Sequence, residues 1–272
     1  MDIKPIEWKD WQVLDFSSID QFLSCGEQFR RVKLGERQPP SIAMFEGTST
    51  HLACSTNNLN KRDKGKDLPA SKLIDVSMHN FESTIKKPEV KDTLEVTKQE
   101  INDMFDRAKK WFPEYITKYA PTIQPEWVEQ PVRKEVSVQG VNFELSGVID
   151  LTTKPAVIDY KTSSSIKSQS EVDSSLQLSL YSMFASKLDV GMLVFVKTKN
   201  PYVAYIPSKR SPADHQWALL VASRVMQSVR KGCFPFANPT PQNWRCTEKF
   251  CGFWSSCRGR FVSISQQVLS EK

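Results

Sequence analysis

The chain has 272 residues, 39% apolar and 10% aromatic, an ordinary globular composition with enough apolar material for one large domain or two modest ones. Lys and Arg total 37 against 31 Asp and Glu, a net charge of +6 that suits a polyanion where it is clustered and otherwise specifies no partner. No apolar run approaches the ~18 residues of a membrane helix, and "MDIKPIEWKDWQV" lacks the apolar core of a secretory signal, so a soluble intracellular protein with reduced thiols is expected.

"DFSSIDQFLSCGEQFRRVKLG" predicts a helix capped by Ser17 or Ser18, with Cys25 on or beside it, stopping near Gly35. After the turn "RQPPS", Thr48 or Ser49 is the expected start of a helix carrying His51 in its first turn. The polar run "NNLNKRDKGKDLPASK" reads as a surface loop, and residues 71 to about 119 as a charged helical insert. Next, "VRKEVSV", "NFELSGVIDLT" and "AVIDYKT", separated by "QG" and "TTKP", predict a three-stranded antiparallel meander. A Ser-rich loop precedes the helix "SSLQLSLYSMFASKL", the strand pair "VGMLVFVKTKN" and "YVAYIPS", and a last helix with Pro212 near its start and Gly232 at its end.

Within the meander, "GVIDLTTKPAVIDYKTSSS" places Asp150, Asp159 and Lys161 in strand-like runs where charge is rarely buried without a partner or a metal. Alternation puts Asp159 and Lys161 on one face, and a hairpin through "TTKPA" brings Asp150 near Asp159. Two close carboxylates repel unless a cation lies between them, and oxygen ligands suit Mg²⁺ or Mn²⁺. Such an ion with an adjacent lysine suits phosphodiester hydrolysis. The bland alternative is a strand-end Asp and a surface Asp-Lys pair on a half-exposed hairpin.

"GVIDL", then "VIDYKT", then "QLSLY" resembles the RecB-like branch of the PD-(D/E)XK nucleases. The resemblance implies an α/β restriction-endonuclease-like core, a mixed central sheet flanked by helices, here with a helical insert. It implies metal binding by Asp150, Asp159 and the backbone carbonyl of Tyr160, with Lys161 positioning the attacking water. "EGTSTH" resembles the family's G-T-x-x-H, which makes His51 a further metal ligand. Gln177 and Tyr181 match the family's Q-x-x-x-Y, whose residues contact DNA or support the site. "VEQPV" resembles the family's acidic strand start, with Glu129 the less specific match.

"WRCTEKFCGFWSSCRGR" holds Cys246, Cys251 and Cys257, a triplet that needs a fourth ligand, for which Cys25 is the candidate. Members of the same branch, AddB and the CRISPR-associated RecB-like exonucleases among them, bind a 4Fe-4S cluster through one early cysteine and a C-terminal triplet. "SCGEQFR" resembles the early site, with Gly26 in place of the usual Pro. Structural Zn²⁺ on the same thiols is the rival. Cys54 and Cys233 read as ordinary buried cysteines.

The expected organisation is an N-terminal helical region (1–125) with the first cluster cysteine and His51, a nuclease core (126–232), and a cysteine-bound metal cluster region and tail (233–272). DNA, single-stranded or at duplex ends, is the expected partner, contacted through basic groups in "RRVK", "KRDKGK", "KTKN", "SKR" and "RGR" and through stacking on Trp244, Phe250, Phe253 or Trp254. The resemblance implies a metal-dependent DNA exonuclease, with a helicase, recombinase or CRISPR adaptation proteins as partners, in the cytoplasm of a bacterial, archaeal or phage-infected cell. The alternatives are a catalytically silent nucleic-acid-binding or adaptor module and a structure-selective endonuclease.

Overall fold

The computed structural model describes residues 7–36, 40–92, 94–238, 243, 245–248 and 250–258. In chain order, β1 (Val13–Asp15), α1 (Phe16–Ser24) and α2 (Gly26–Lys33) precede four helices, α3 (Ile42–Lys64), α4 (Ala70–Ile85), α5 (Pro88–Lys91) and α6 (Lys98–Glu114). The meander is β2 (Pro125–Val138), β3 (Val141–Thr153) and β4 (Ala156–Ser163). Then come α7 (Gln169–Asp173), α8 (Leu176–Ala185), β5 (Asp189–Val196), β6 (Tyr202–Lys209) and α9 (Pro212–Arg230). This is a mixed α/β fold whose element order from the meander onward follows the sequence pattern except for α7, a short helix capped by Ser168 within the segment read as a Ser-rich loop.

Two expectations near the N-terminus are corrected. The first helix is capped by Asp15, whose carboxylate accepts from Ser18 N at 2.7 Å and from both serine hydroxyls, so the serines are donors to the cap. The helix carrying His51 begins at Ile42, capped by Ser41, and runs through the predicted loop to Lys64. It persists because its polar residues find buried partners. Asn57 donates to Asp67 and accepts from Leu68 N, and the Lys61 ammonium bonds Asp67 and the Ala120 carbonyl.

The chain divides into two compact units. The larger comprises Pro40–Lys134 and Ser146–Leu220. There β3, β4, β5 and β6 lie side by side in that order, with β2 paired to β3. β4 runs antiparallel to β3 and parallel to β5, and β6 is antiparallel to β5. β5 is buried from Val190 to Val196, as expected of an interior strand. One face of the sheet packs on α3, α4 and α6 through a core that includes Trp111, Phe112, Tyr115, Leu151, Ile158, Tyr160 and Phe195. Each such side chain contributes about 1.5–3 kcal/mol by leaving water. The helices also enclose a core of their own, Phe45, Phe81, Ile85, Val90 and Met104.

A buried acid pins α3 and α6 to the end of β5. Glu46, 1% exposed, receives Arg107 at 2.5 Å and Lys197 at 3.0 Å. Glu46→Ala leaves both cations without their counter-ion, and a loss of about 3 kcal/mol is expected, read as a lower denaturant midpoint.

The smaller unit comprises Met1–Pro39, Glu135–Leu145 and Val221–Lys272. In it β1 lies beside the start of β3, where Glu144 N donates to the Gln12 carbonyl at 2.7 Å. The apolar side of α1 and α2 buries Phe16, Ile19, Phe22 and Phe29, and Phe234 stacks on Phe29 with ring centroids 6.2 Å apart. Gln139 and Gly140, at φ 50° and 77°, form the two-residue turn between β2 and β3 that positive φ at both positions favours.

Candidate active site

Leu151 pairs with Ile158 and Thr152 with Val157, so one step further along the two strands Asp150 stands opposite Asp159. Residues directly opposite in an antiparallel pair share a face, and both carboxylates therefore emerge together. Asp159 is 1% exposed and Asp150 8%. Burial, and then the charge of Asp159, hold the Asp150 pKa well above the usual carboxylate range. Tyr160 N steadies Asp150 by donating to its Oδ2 at 2.8 Å.

Lys161 follows on the same face as Asp159. Its ammonium donates to Asp159 Oδ1 and to Gln177 Oε1, both at 3.0 Å, and Gln177 Nε2 in turn donates to the Tyr181 hydroxyl at 2.7 Å. Gln177 and Tyr181, one turn apart on α8, thus act on the lysine from above the sheet. Burial and the nearby carboxylates push the Tyr181 pKa up, which keeps the phenol protonated. Behind α8, the buried Arg210 guanidinium bonds the Val172 carbonyl at 2.7 Å and Ser179 Oγ at 2.9 Å, fixing the helix to the α7 turn.

His51 comes from α3 on the opposite side of β4. Its Nδ1 lies 3.6 Å from Asp150 Oδ2, and its ring meets the Tyr160 ring edge-on with centroids 5.9 Å apart. Burial lowers its pKa to about 4, while the charge of Asp159 pulls the other way, so above about pH 4 the imidazole is neutral, the form that ligates metals. Gly47, one turn before His51, allows the approach: a Cβ there would lie 3.2 Å from Thr162 Oγ1 on β4. The same "EGTSTH" stretch thereby supplies the anchor Glu46, the close contact at Gly47 and the imidazole.

Among the described residues no three His, Cys, Asp or Glu side chains converge, as they stand, on a common ligand point. The donor chemistry nevertheless fits a hard divalent cation: two buried carboxylates face each other beside a neutral imidazole. Asp159 Oδ2 makes no hydrogen bond, although the Lys161 ammonium stands 2.9 Å away as an ion pair and directs its bond to Oδ1. Glu129, given less weight from sequence, adds to this field. It sits at φ 49° in β2, partial desolvation raises its pKa, and its charge raises that of Asp150.

Residues 14–258 match the model of the PD-(D/E)XK nuclease superfamily. The chain belongs to this superfamily. Its members are metal-dependent hydrolases of nucleic acids that generally use divalent ions such as Mg²⁺ or Mn²⁺, and membership implies a DNA substrate. Among solved structures, the superfamily member is similar to the protein SSO0001, at 16% identity over 90% of this chain and 85% of that one, with a TM-score of 0.41. It is also similar to a candidate exonuclease of Eubacterium rectale, at 13% identity over 86% and 87% of the two chains, with a TM-score of 0.48. No protein of curated function matches it. No helix among its described residues is long and apolar enough to cross a membrane.

In the smaller unit of this nuclease, Cys25, Cys246, Cys251 and Cys257 all line one cavity of about 330 Å³, together with Phe236, Ala237, Trp254 and Arg258. Cys25 lies between α1 and α2 and caps the latter, its Sγ accepting from Gln28 N at 3.4 Å. Burial chiefly, and neighbouring thiols in addition, raise the pKa of Cys251 and Cys257. Gly26 has no room for a side chain. A Cβ there would meet Pro235 Cδ at 2.6 Å and backbone atoms of Phe234 and Pro235 within 2.9 Å. Of the other cysteines, Cys54 is buried as expected, but Cys233 is exposed.

Other expected DNA contacts are redistributed. Phe253 is buried, with the Arg31 guanidinium 5.5 Å from its ring centre, so it packs the interior and offers no face for stacking. Arg30 and Arg31 are bound to Glu27, Lys61 to Asp67 and Lys197 to Glu46, which removes part of "RRVK", "KRDKGK" and "KTKN" from the expected phosphate-binding set. Phe250 is exposed, Trp254 is partly so, and Trp244 lies outside the described residues. The buried Asn58 and Tyr115 were not anticipated. Asn58 stands seven residues after His51 and four after Cys54, a helical spacing that becomes visible only once α3 is known to continue through the polar run.

Proposed function

We propose that this chain is a metal-dependent DNA exonuclease acting on single-stranded or end-exposed DNA. The observation that carries the reading is the placement of Asp150 opposite Asp159, with Lys161 beside them and His51 reaching in from α3. Asp150, Asp159, His51 and the Tyr160 carbonyl would hold Mg²⁺ or Mn²⁺. When bound there, the cation would polarise the scissile phosphate and lower the pKa of a coordinated water. Lys161, held by Gln177, would orient that water and offset charge developing on the phosphate. Tyr181 acts through Gln177.

The four cysteines around one cavity support a 4Fe-4S cluster in the same protein, with structural Zn²⁺ as the competing occupant, since thiolates suit both. Protein purified without oxygen is expected to be brown and to carry iron and acid-labile sulfide. Both should be lost in Cys251→Ala, whereas a colourless protein holding stoichiometric zinc would decide for the rival.

The test of activity is digestion of linear and circular single-stranded DNA with Mn²⁺. Loss of the linear form alone is the expected result. Cleavage of circles would replace exonuclease by endonuclease, and two intact substrates, with Mg²⁺ as well, would overturn the catalytic reading in favour of a DNA-binding module. A helicase, recombinase or CRISPR adaptation partner would supply duplex unwinding or end delivery. The cytoplasm of a bacterial, archaeal or phage-infected cell is where such a partner would be met.

A further inference from the structure

Tyr160 touches the candidate metal centre through its backbone N–H and is itself held from behind. Its N–H donates to Asp150, and its ring meets the His51 imidazole edge-on. On the far face of β4 its ring enters the core between α3 and α6. There Asn58 Nδ2 donates to the Tyr160 hydroxyl at 2.7 Å, and Asn58 Oδ1 accepts from the Tyr115 hydroxyl at 3.3 Å. Asn58, Tyr115 and Tyr160 are all 0% exposed, so no water relieves a lost bond.

Asn58 and His51 occupy one stripe of α3, two turns apart. Beside the Glu46 and Lys61 contacts that pin α3, the bond from Asn58 to Tyr160 ties the part of the helix two turns beyond His51 to the strand whose peptide N–H meets Asp150. A packing contact of ordinary apolar type would hold the helix near β4 with no fixed registration along it. The placement of a hydrogen bond at this point suits a site whose ligands come from three elements, α3, β3 and β4, and must agree within about half an ångström.

We propose that Asn58 is a positioning residue of the nuclease site, locking Tyr160 from the core side so that His51 and Asp150 are held where a bound cation would gather them. This rests on the metal-dependent reading above. Loss of such an outer partner typically weakens metal affinity about 10–100-fold.

The test is Mn²⁺ binding by titration calorimetry, with the metal concentration for half-maximal DNA hydrolysis as the second readout. Asn58→Ala and Tyr160→Phe are each expected to weaken Mn²⁺ binding at least about 10-fold. Asn57→Ala is the control. Its side chain bonds Asp67 and Leu68 N in the same helix surroundings and reaches the Tyr115 hydroxyl, but no hydrogen bond among the described residues joins it to Tyr160. It is expected to lower the melting temperature while leaving Mn²⁺ affinity within about twofold of wild type, since the outer-partner effect does not reach it. Equal Mn²⁺ affinity in wild type and in folded Asn58→Ala overturns the proposal. Should Asn58→Ala not fold, wild-type affinity in Tyr160→Phe, which deletes one oxygen, overturns it instead. A parallel loss of affinity in Asn57→Ala would reduce Asn58 to a general stability role. Failure of the wild type itself to bind Mn²⁺ overturns the metal-dependent reading and the proposal with it, a result distinct from the other three.

Discussion

Lys161→Ala is expected to lower the rate of DNA hydrolysis about 10²–10⁴-fold, the range for a group that moves or orients a proton or stabilises developing charge at the reacting centre. Mn²⁺ binding should persist in this variant. In the folded protein the ammonium is shared between Asp159, at 3.0 Å from Oδ1 and 2.9 Å from Oδ2, and Gln177. Removing it leaves the Asp150–Asp159 pair with more need of a cation. Calorimetry with Mn²⁺ beside single-turnover cleavage separates the two effects. A variant that retains more than about a tenth of wild-type rate would remove Lys161 from the chemistry. Gln177→Ala and Tyr181→Phe act through the lysine, so each should give a smaller loss, with Tyr181→Phe the milder because only one hydroxyl in the relay is removed.

Asp150→Asn is expected to abolish hydrolysis and, in protein stripped of divalent ions, to raise the melting temperature at pH 8. Burial and Asp159 raise the folded-state pKa of Asp150 above its unfolded value. The stability Asp150 contributes is then fully present below about pH 3.9, the unfolded value, and is lost as pH rises through the higher folded value. At pH 8 the metal-free wild type must either hold Asp150 charged and buried beside Asp159 or take up a proton to fold, and both cost stability, whereas the neutral asparagine bears neither cost and can still accept the hydrogen bond from Tyr160 N. A gain of about 1 kcal/mol, ~2–4 °C in a chain of this size, is expected at pH 8 and should fade near pH 4. Mn²⁺ should raise the melting temperature of the wild type and leave the variant where it was. A variant less stable than wild type at pH 8 would mean that the carboxylate pair is relieved by some other cationic group, and Lys161 would be the first to examine by combining the two substitutions.

The sequence by itself determined the local part of the site. Asp159, Tyr160 and Lys161 alternate across β4 because a strand has a two-residue period, and Gln177 and Tyr181 share a face because a helix nearly repeats every four. The short "TTKP" connection left Asp150 few places to go except beside Asp159. These are near-neighbour constraints, and they carry from residue order to geometry without help.

Only the tertiary structure decided how α3 enters. Its polar second half looked like a loop because Asn57, Asn58 and Lys61 have no apolar stripe. They are nonetheless buried, since Asp67, the Ala120 carbonyl, Tyr115 and Tyr160 supply their partners. Those partners come from as far as 102 residues away in the chain, so no local window contains them. The gathering of Cys25 with Cys246, Cys251 and Cys257 around one cavity is likewise a long-range result. Hydrophobic periodicity reports what a segment does with water. It is silent where a helix is stabilised by polar bonds to distant groups, and that is how this protein brings His51 to its carboxylates.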